Sequence, residues 1–254
     1  MSKLHFTQPG IFTGFPEVAS GVTLRKGGQP PYLDTNLGFR ALADQLPQQT
    51  YKQVRAAAVE LRQNAAEQLL NPTASVYLAH QTHSNVVREA NPHGDAEGHD
   101  QADGIVTTSS NLLIGVLVAD CAGILIYDPE AKVIAAVHSG WRGTKANIIA
   151  TTIALMQAKG ADPARLRVYI SPVACPCHYE VGPTFREYFD ERFLPVIDGK
   201  VCFDNHAALQ AQLQSLGVQH IELDMRCTVE ESTLHSYRRD GLQSGRFLVG
   251  IGLR

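Results

Sequence analysis

Residues 112–120 read "LLIGVLVAD", nearly all apolar, as expected of a strand covered on both of its faces. "GILIYD" and "KVIAAVHS" follow at once and read as a hairpin joined through Asp128-Pro129. The run that begins at 112 ends at Asp120-Cys121, and the last ends at His138, just before Gly140-Trp141-Arg142-Gly143. Buried strands that stop at a thiol and an imidazole are the feature any fold must accommodate.

Other strands are expected at Gly21 to Arg25, along "SVYLAHQTHSNVV" (75–87), in "ADGIVTT", "RLRVYISP" and "VQHIELD", and at the end in "GRFLVGIGL". Residues 10–40 are rich in Gly and Pro and read as a short strand followed by a long structured loop. Val54, Ala58, Leu61, Ala65 and Leu69 share one face of a helix from about Thr50 to Leu70, closed by Asn71-Pro72. Thr144 is positioned to cap a helix running to about Lys159, with Gly160 at its end. Helices are also expected over about 183–192 and 205–216, and Thr228 to Glu231 has capping-box spacing. Strands and helices interleave irregularly, so the expectation is a mixed sheet, α+β or α/β, in a single domain spanning residues 1–254.

The balance of charge excludes several functions. With a net charge of -3 and scattered Lys and Arg, the chain lacks the basic footprint of a nucleic-acid binder. No polybasic run points to a membrane surface, and no apolar stretch is long enough to span a bilayer. The N-terminus lacks a signal-peptide layout, and five cysteines make poor arithmetic for a disulfide framework. Together these point to a cytoplasmic protein whose cysteines are thiols.

His83, Cys121 and His138 each fall at or just beyond a strand end. If those ends meet on one sheet edge, two imidazoles and a thiolate form a ligand set suited to zinc, with a fourth position open for water or substrate. Asp120 is placed to steady the ligands. Three other readings stay open at this point: Cys121 as a packed apolar residue, Cys121 as a nucleophile with His138 as base and Asp120 as orienter, or the same set holding copper. Cys175-Pro176-Cys177-His178 is compact enough to bind metal, but without a second pair nearby it reads as a buried turn. Trp141-Arg142 between glycines offers a stacking face and an anion fork. Of Arg238 and Arg239, at most one faces a pocket if that segment is extended, and Asn36 could present its amide to a ligand.

Taken together, "GVTLRKGG", "PYLDTNLG", "HQTHSNVV", "ADGIVT", "VLVADCAGILIYD", "AAVHSGWRGT", "CHYEVG", "RCT" and "HSYRRDG" resemble, in this order, the laccase-domain family, also called polyphenol oxidase or peptidoglycan editing factor. The resemblance runs from about Gly21 to Leu253. It implies a four-layer αββα sandwich and zinc held by His83, Cys121 and His138. The first ligand segment departs from the family's usual Gln-Val-His-Gly, reading Gln81-Thr82-His83-Ser84.

The resemblance further implies an enzyme of purine nucleosides: a phosphorylase of adenosine, inosine and 5′-methylthioadenosine that releases free base and ribose 1-phosphate, with adenosine deaminase activity. The three metal ligands would then serve catalysis, with nucleoside and phosphate as the small-molecule partners. Arg25, Asn36, Arg142 and Arg239 are the expected substrate contacts, their guanidinium forks suiting phosphate. The rival is a cysteine amidohydrolase that removes misincorporated serine from a peptidoglycan precursor through Cys121 and His138. Copper-dependent polyphenol oxidation is disfavoured, because multicopper chemistry needs more ligands than ten scattered histidines supply. A metal-dependent binding module without catalysis is a third possibility.

Overall fold

The computed structural model describes residues 3–26 and 34–254. Residues 27–33 of the Gly/Pro-rich segment lie outside them, and with them that part of the expected long loop.

Two sheets pack face to face. One has the order β1 (His5–Thr7), β2 (Val18–Leu24), β13 (Phe247–Leu253), β6 (Leu112–Val118), β3 (Ser75–Tyr77). The other has the order β12 (His220–Leu223), β9 (Arg167–Ile170), β7 (Ala122–Asp128), β8 (Val133–Ser139), β5 (Gly104–Thr107), β4 (Val87–Glu89). A two-stranded ribbon, β10 (Val196–Ile197) with β11 (Lys200–Val201), lies apart from both. Both large sheets are mixed: β6 pairs antiparallel with β13 but parallel with β3, and in the other sheet β7 pairs antiparallel with β8 and β9 while β12 pairs parallel with β9 and β4 with β5.

The period-2 geometry of strands sorts the core into layers. Leu112, Ile114, Val116 and Val118 of β6 meet Leu125 and Tyr127 of β7 and Ile134 and Ala136 of β8 between the sheets. The opposite face of β7 and β8, with Ile124, Ile126, Val133, Ala135 and Val137, packs against α3 (Ile148–Gln157) and α4 (Asn205–Ser215). The opposite face of β6, through Leu113, packs with Ala65, Ala66 and Leu69 of α1 (Gln48–Leu69). The result is helix, sheet, sheet, helix, the expected αββα sandwich. Gly123 lets the sheets approach, since a Cβ there would meet the Val249 side chain at 2.7 Å.

The strand expected over 75–87 is two strands with a long turn between them. Three consecutive backbone N–H groups, of Thr82, His83 and Ser84, donate to the buried Asp103 carboxylate, and His83 adopts φ 59°. An extended strand points successive N–H groups to alternate sides, so this convergence requires the bend. Gln81 keeps the turn beside the sheet by donating to the Leu117 carbonyl and accepting from the Leu117 N–H, both at 2.8 Å.

The helix expected from Thr144 to Lys159 is also divided, into α2 (Trp141–Lys145) and α3. Its cap is Asn147, in the left-handed region at φ 51° and accepting from Ala150 N–H. Thr144 is buried, its hydroxyl donating to Asn205 instead. Over 183–192 the chain makes two 3-10 turns, Pro183–Glu187 and Glu191–Phe193, as Phe185 and Phe189 fold onto Phe203 at ring separations of 5.6 and 4.3 Å. Thr228 starts no helix, because its hydroxyl is taken by Asp120 at 2.6 Å.

Candidate metal centre

β8 carries His138 on the side that faces the other sheet, in line with Ile134 and Ala136. Cys121 sits in the tight link between β6 and β7, after Asp120 at φ 86°. The turn after β3 supplies His83. The three ligand atoms lie within 4.8 Å of one another. Cys121 Sγ is 4.0 Å from His83 Nε2, and the imidazoles meet edge to face with centroids 4.8 Å apart. Tetrahedral zinc, with bonds of ~2.0–2.3 Å, needs ligand atoms roughly 3.3–3.8 Å apart, so a small closure suffices.

Asp103 organises this arrangement, and the sequence reading missed it. Its Oδ1 lies 2.8 Å from His138 Nδ1 and accepts from His83 N–H at 3.0 Å; its Oδ2 accepts from the Ser84 N–H and hydroxyl, both at 2.7 Å. With Nδ1 of His138 engaged, Nε2 is left as the ligand atom. The only signal was an Asp directly before the Gly that opens a strand. Asp120, expected to steady the imidazoles, is turned away from them: it accepts from Thr228 Oγ1 and from Arg238 N–H at 2.7 Å.

Gly140 keeps the space beside Cys121 and His83 open. A Cβ there would sit 2.8 Å from Cys121 Sγ and 3.3 Å from His83 Cδ2. Electrostatics favour a thiolate. Burial opposes ionisation of Cys121, but the charge of His138 and hydrogen bonds from both imidazoles outweigh it and bring the thiol down to about 6. Burial likewise opposes charge on His138, yet Cys121 and Asp103 hold its pKa up at about 9. Burial would raise the Asp103 carboxyl, but its bond to His138 and the Ser84 donors keep it well below the carboxylate range.

The cluster lies in a cleft of about 690 Å³, within the range of roughly 300–1,000 Å³ usual for small-molecule sites. Arg142 and Arg238 line it, each with its guanidinium carbon over a ring that also lines it: Arg142 at 4.4 Å from the Trp141 centroid, Arg238 at 4.4 Å from the Tyr179 centroid. Among the described residues no carboxylate forms a salt bridge with either. Arg246 lines it too, but its Nη1 is spent on the carbonyls of Ser244 and Gly245.

The other expected contacts are committed elsewhere. Arg25 pairs with Asp34 at 3.2 Å and Asp240 at 3.5 Å. Asn36 Oδ1 accepts from the N–H groups of Gly38 and Arg246, both at 2.8 Å. Arg239 donates to the carbonyls of Thr228 and Leu234 and pairs with Asp240. None of these three is among the described residues that line the cleft. Arg238 faces it instead of Arg239, because the segment is a short helix, α5 (Tyr237–Asp240), rather than extended.

Two packed mixed sheets, helices outside and a His2Cys cluster at the strand ends define a family. The chain belongs to the one described as multi-copper polyphenol oxidoreductase laccase, whose model matches residues 19–254. It is 38% identical over 229 residues to a purine nucleoside phosphorylase of Corynebacterium glutamicum, covering 86% of this chain and 88% of that one. It is 31% identical over 233 residues to one of Mycobacterium bovis, covering 89% and 88%. The crystal structure of YlmD from Geobacillus stearothermophilus matches with a TM-score of 0.82 and 26% identity, over 99% of this chain and 100% of that one. Among the described residues, no helix is long and apolar enough to cross a membrane.

Proposed function

We propose that this chain is a zinc-dependent purine nucleoside phosphorylase acting on adenosine, inosine and 5′-methylthioadenosine, which also deaminates adenosine. The observation that carries the reading is the meeting of His83, Cys121 and His138 on the floor of a cleft whose wall bears Arg142 and Arg238. The names of the relatives supply the substrate class. Two imidazoles and a low-pKa thiol suit zinc, and an ion held there supplies a Lewis acid able to polarise an oxygen or acidify a water.

The protein's own groups do the rest. Asp103 holds His138 in one tautomer and fixes the backbone turn that carries His83, so the His138 ring and the His83 main chain are set before substrate arrives. Arg142 and Arg238 present guanidinium forks to phosphate. Tyr179 and Trp141 offer apolar faces to a purine. In phosphorolysis a phosphate oxygen bonds to C1′ of the ribose, the C–N bond breaks, and its electron pair goes to the base nitrogen, which takes a proton. In deamination water adds at C6 of adenine and ammonia leaves.

One observation favours a second reading. Asp103, His138 and Cys121 form a line of carboxylate, imidazole and low-pKa thiol, which is also the arrangement of a cysteine amidohydrolase. Incubating each nucleoside with and without phosphate, and in parallel a serine-containing peptidoglycan precursor as amide substrate, before and after chelation, separates the two. Free base that forms only with phosphate and only in metal-loaded protein supports the phosphorylase. Amide cleavage that survives chelation and is lost in Cys121→Ser supports the hydrolase.

A further inference from the structure

A second cluster of soft ligands lies on the other side of Asp120 from the candidate metal centre. The 3-10 turn Pro176–His178 is not the buried turn its sequence suggested: Cys175 is half-buried and Cys177 exposed. The companion that this compact segment lacked comes from a distant stretch. A parallel bridge between Val173 and Cys227, with Thr228 N–H donating to the Val173 carbonyl at 2.9 Å, lays the two segments side by side. His178 Nδ1 is then 3.2 Å from Cys175 Sγ, 3.4 Å from Cys177 Sγ and 3.6 Å from Cys227 Sγ, with Glu230 Oε1 also at 3.6 Å.

Hydrogen bonding does not account for this. An imidazole nitrogen offers one proton or one lone pair, so it satisfies one thiol. Cys227 Sγ has a second donor in the Cys175 N–H at 3.2 Å, but Cys175 and Cys177 stay crowded against His178 and against each other. A cation does account for it. Zinc bonded to nitrogen at ~2.0 Å and to sulfur at ~2.3 Å puts N and S roughly 3.5 Å apart, which the three nitrogen–sulfur distances match. Cys175 and Cys177, whose sulfurs are 2.8 Å apart, would open by roughly 1 Å to complete the tetrahedron.

We propose that Cys175, Cys177, His178 and Cys227 form a second metal site, a closed structural zinc centre distinct from that of His83, Cys121 and His138. Its role is to tie the two segments that hold Asp120. Ala174 N–H donates to the Asp120 carbonyl at 3.1 Å, and Thr228 Oγ1 donates to its carboxylate. Tyr179, which lies under Arg238 in the cleft wall, is the next residue after the ligand His178. The second ion thus fixes the wall of the first site from behind without taking part in its chemistry.

The test is the zinc content of the full chain, purified with zinc present, for wild type, Cys121→Ala and Cys121→Ala/Cys177→Ser. Two, one and no zinc per chain are expected. The exposed Cys177 is chosen so that serine disturbs no packing. His83→Ala replaces Cys121→Ala if the latter fails to fold. Cobalt loading of Cys121→Ala should give thiolate-to-metal charge-transfer absorption, lost on adding Cys177→Ser. A folded Cys121→Ala chain without zinc overturns the inference. So does an intact mass lower by two hydrogens, from a Cys175–Cys177 disulfide, in protein purified under reducing conditions. If wild type and Cys121→Ala each hold one zinc, this site stands and the first one fails.

Discussion

Asp103→Asn tests whether the buried carboxylate sets the ligand geometry. Asparagine keeps one carbonyl oxygen. Placed at the Oδ2 position, it retains the bonds from Thr82 and Ser84, and its NH2 then faces His83 N–H and His138 Nδ1. A donor facing the His83 N–H leaves that group unpaired, at about 1–3 kcal/mol, and the charged bond to His138 is lost, at about 1.5–3 kcal/mol. With partial solvent access at His83, the sum is about 2–4 kcal/mol of folding stability. His138 would have to accept at Nδ1, moving its proton to Nε2, the atom needed as ligand. Zinc affinity should therefore fall about 10–100-fold. Urea unfolding of the metal-free protein and competitive zinc titration read the two effects separately. An unchanged unfolding midpoint, together with zinc affinity within threefold of wild type, would refute the role given to Asp103.

Three further outcomes are expected. Gly140→Ala should lower zinc affinity at least about tenfold, since a Cβ would crowd Cys121 and His83, while stability changes by less than about 1 kcal/mol, because φ -80° suits alanine; zinc titration and thermal melting check both. In metal-free protein the Cys121 thiolate should predominate above pH 6, so its alkylation, followed by peptide mass spectrometry, should rise through about pH 6 and level off; His138→Gln should move that midpoint upward. Arg142→Ala or Arg238→Ala should raise the KM for phosphate about tenfold or more, consistent with ~1.5–3 kcal/mol for a charged bond, whereas Arg239→Ala should chiefly lower stability, because Arg239 is bonded to backbone carbonyls.

The parts legible in the sequence were those governed by local pattern. β6 is apolar on both faces because one face meets α1 and the other meets the second sheet, and that pattern is visible without coordinates. The hairpin of β7 and β8 and the apolar stripe of α1 are of the same kind. What was missed depends on remote partners. The turn at His83 bends because of a carboxylate twenty residues away, and the second thiol cluster needs Cys227, forty-nine residues beyond His178. The choice between Arg238 and Arg239 turned on a four-residue helix capped by the Ser236 side chain, which an extended reading of the segment cannot anticipate.

Anomalous diffraction from a zinc-loaded crystal, collected on both sides of the zinc absorption edge, tests the central claim most directly. The account predicts a peak bonded to all three side chains, at about 2.0–2.1 Å from a ring nitrogen of His83 and from His138 Nε2 and about 2.3 Å from Cys121 Sγ, with the cleft side of the ion open. Density confined to other residues, with these three side chains pointing to no common centre, would contradict it.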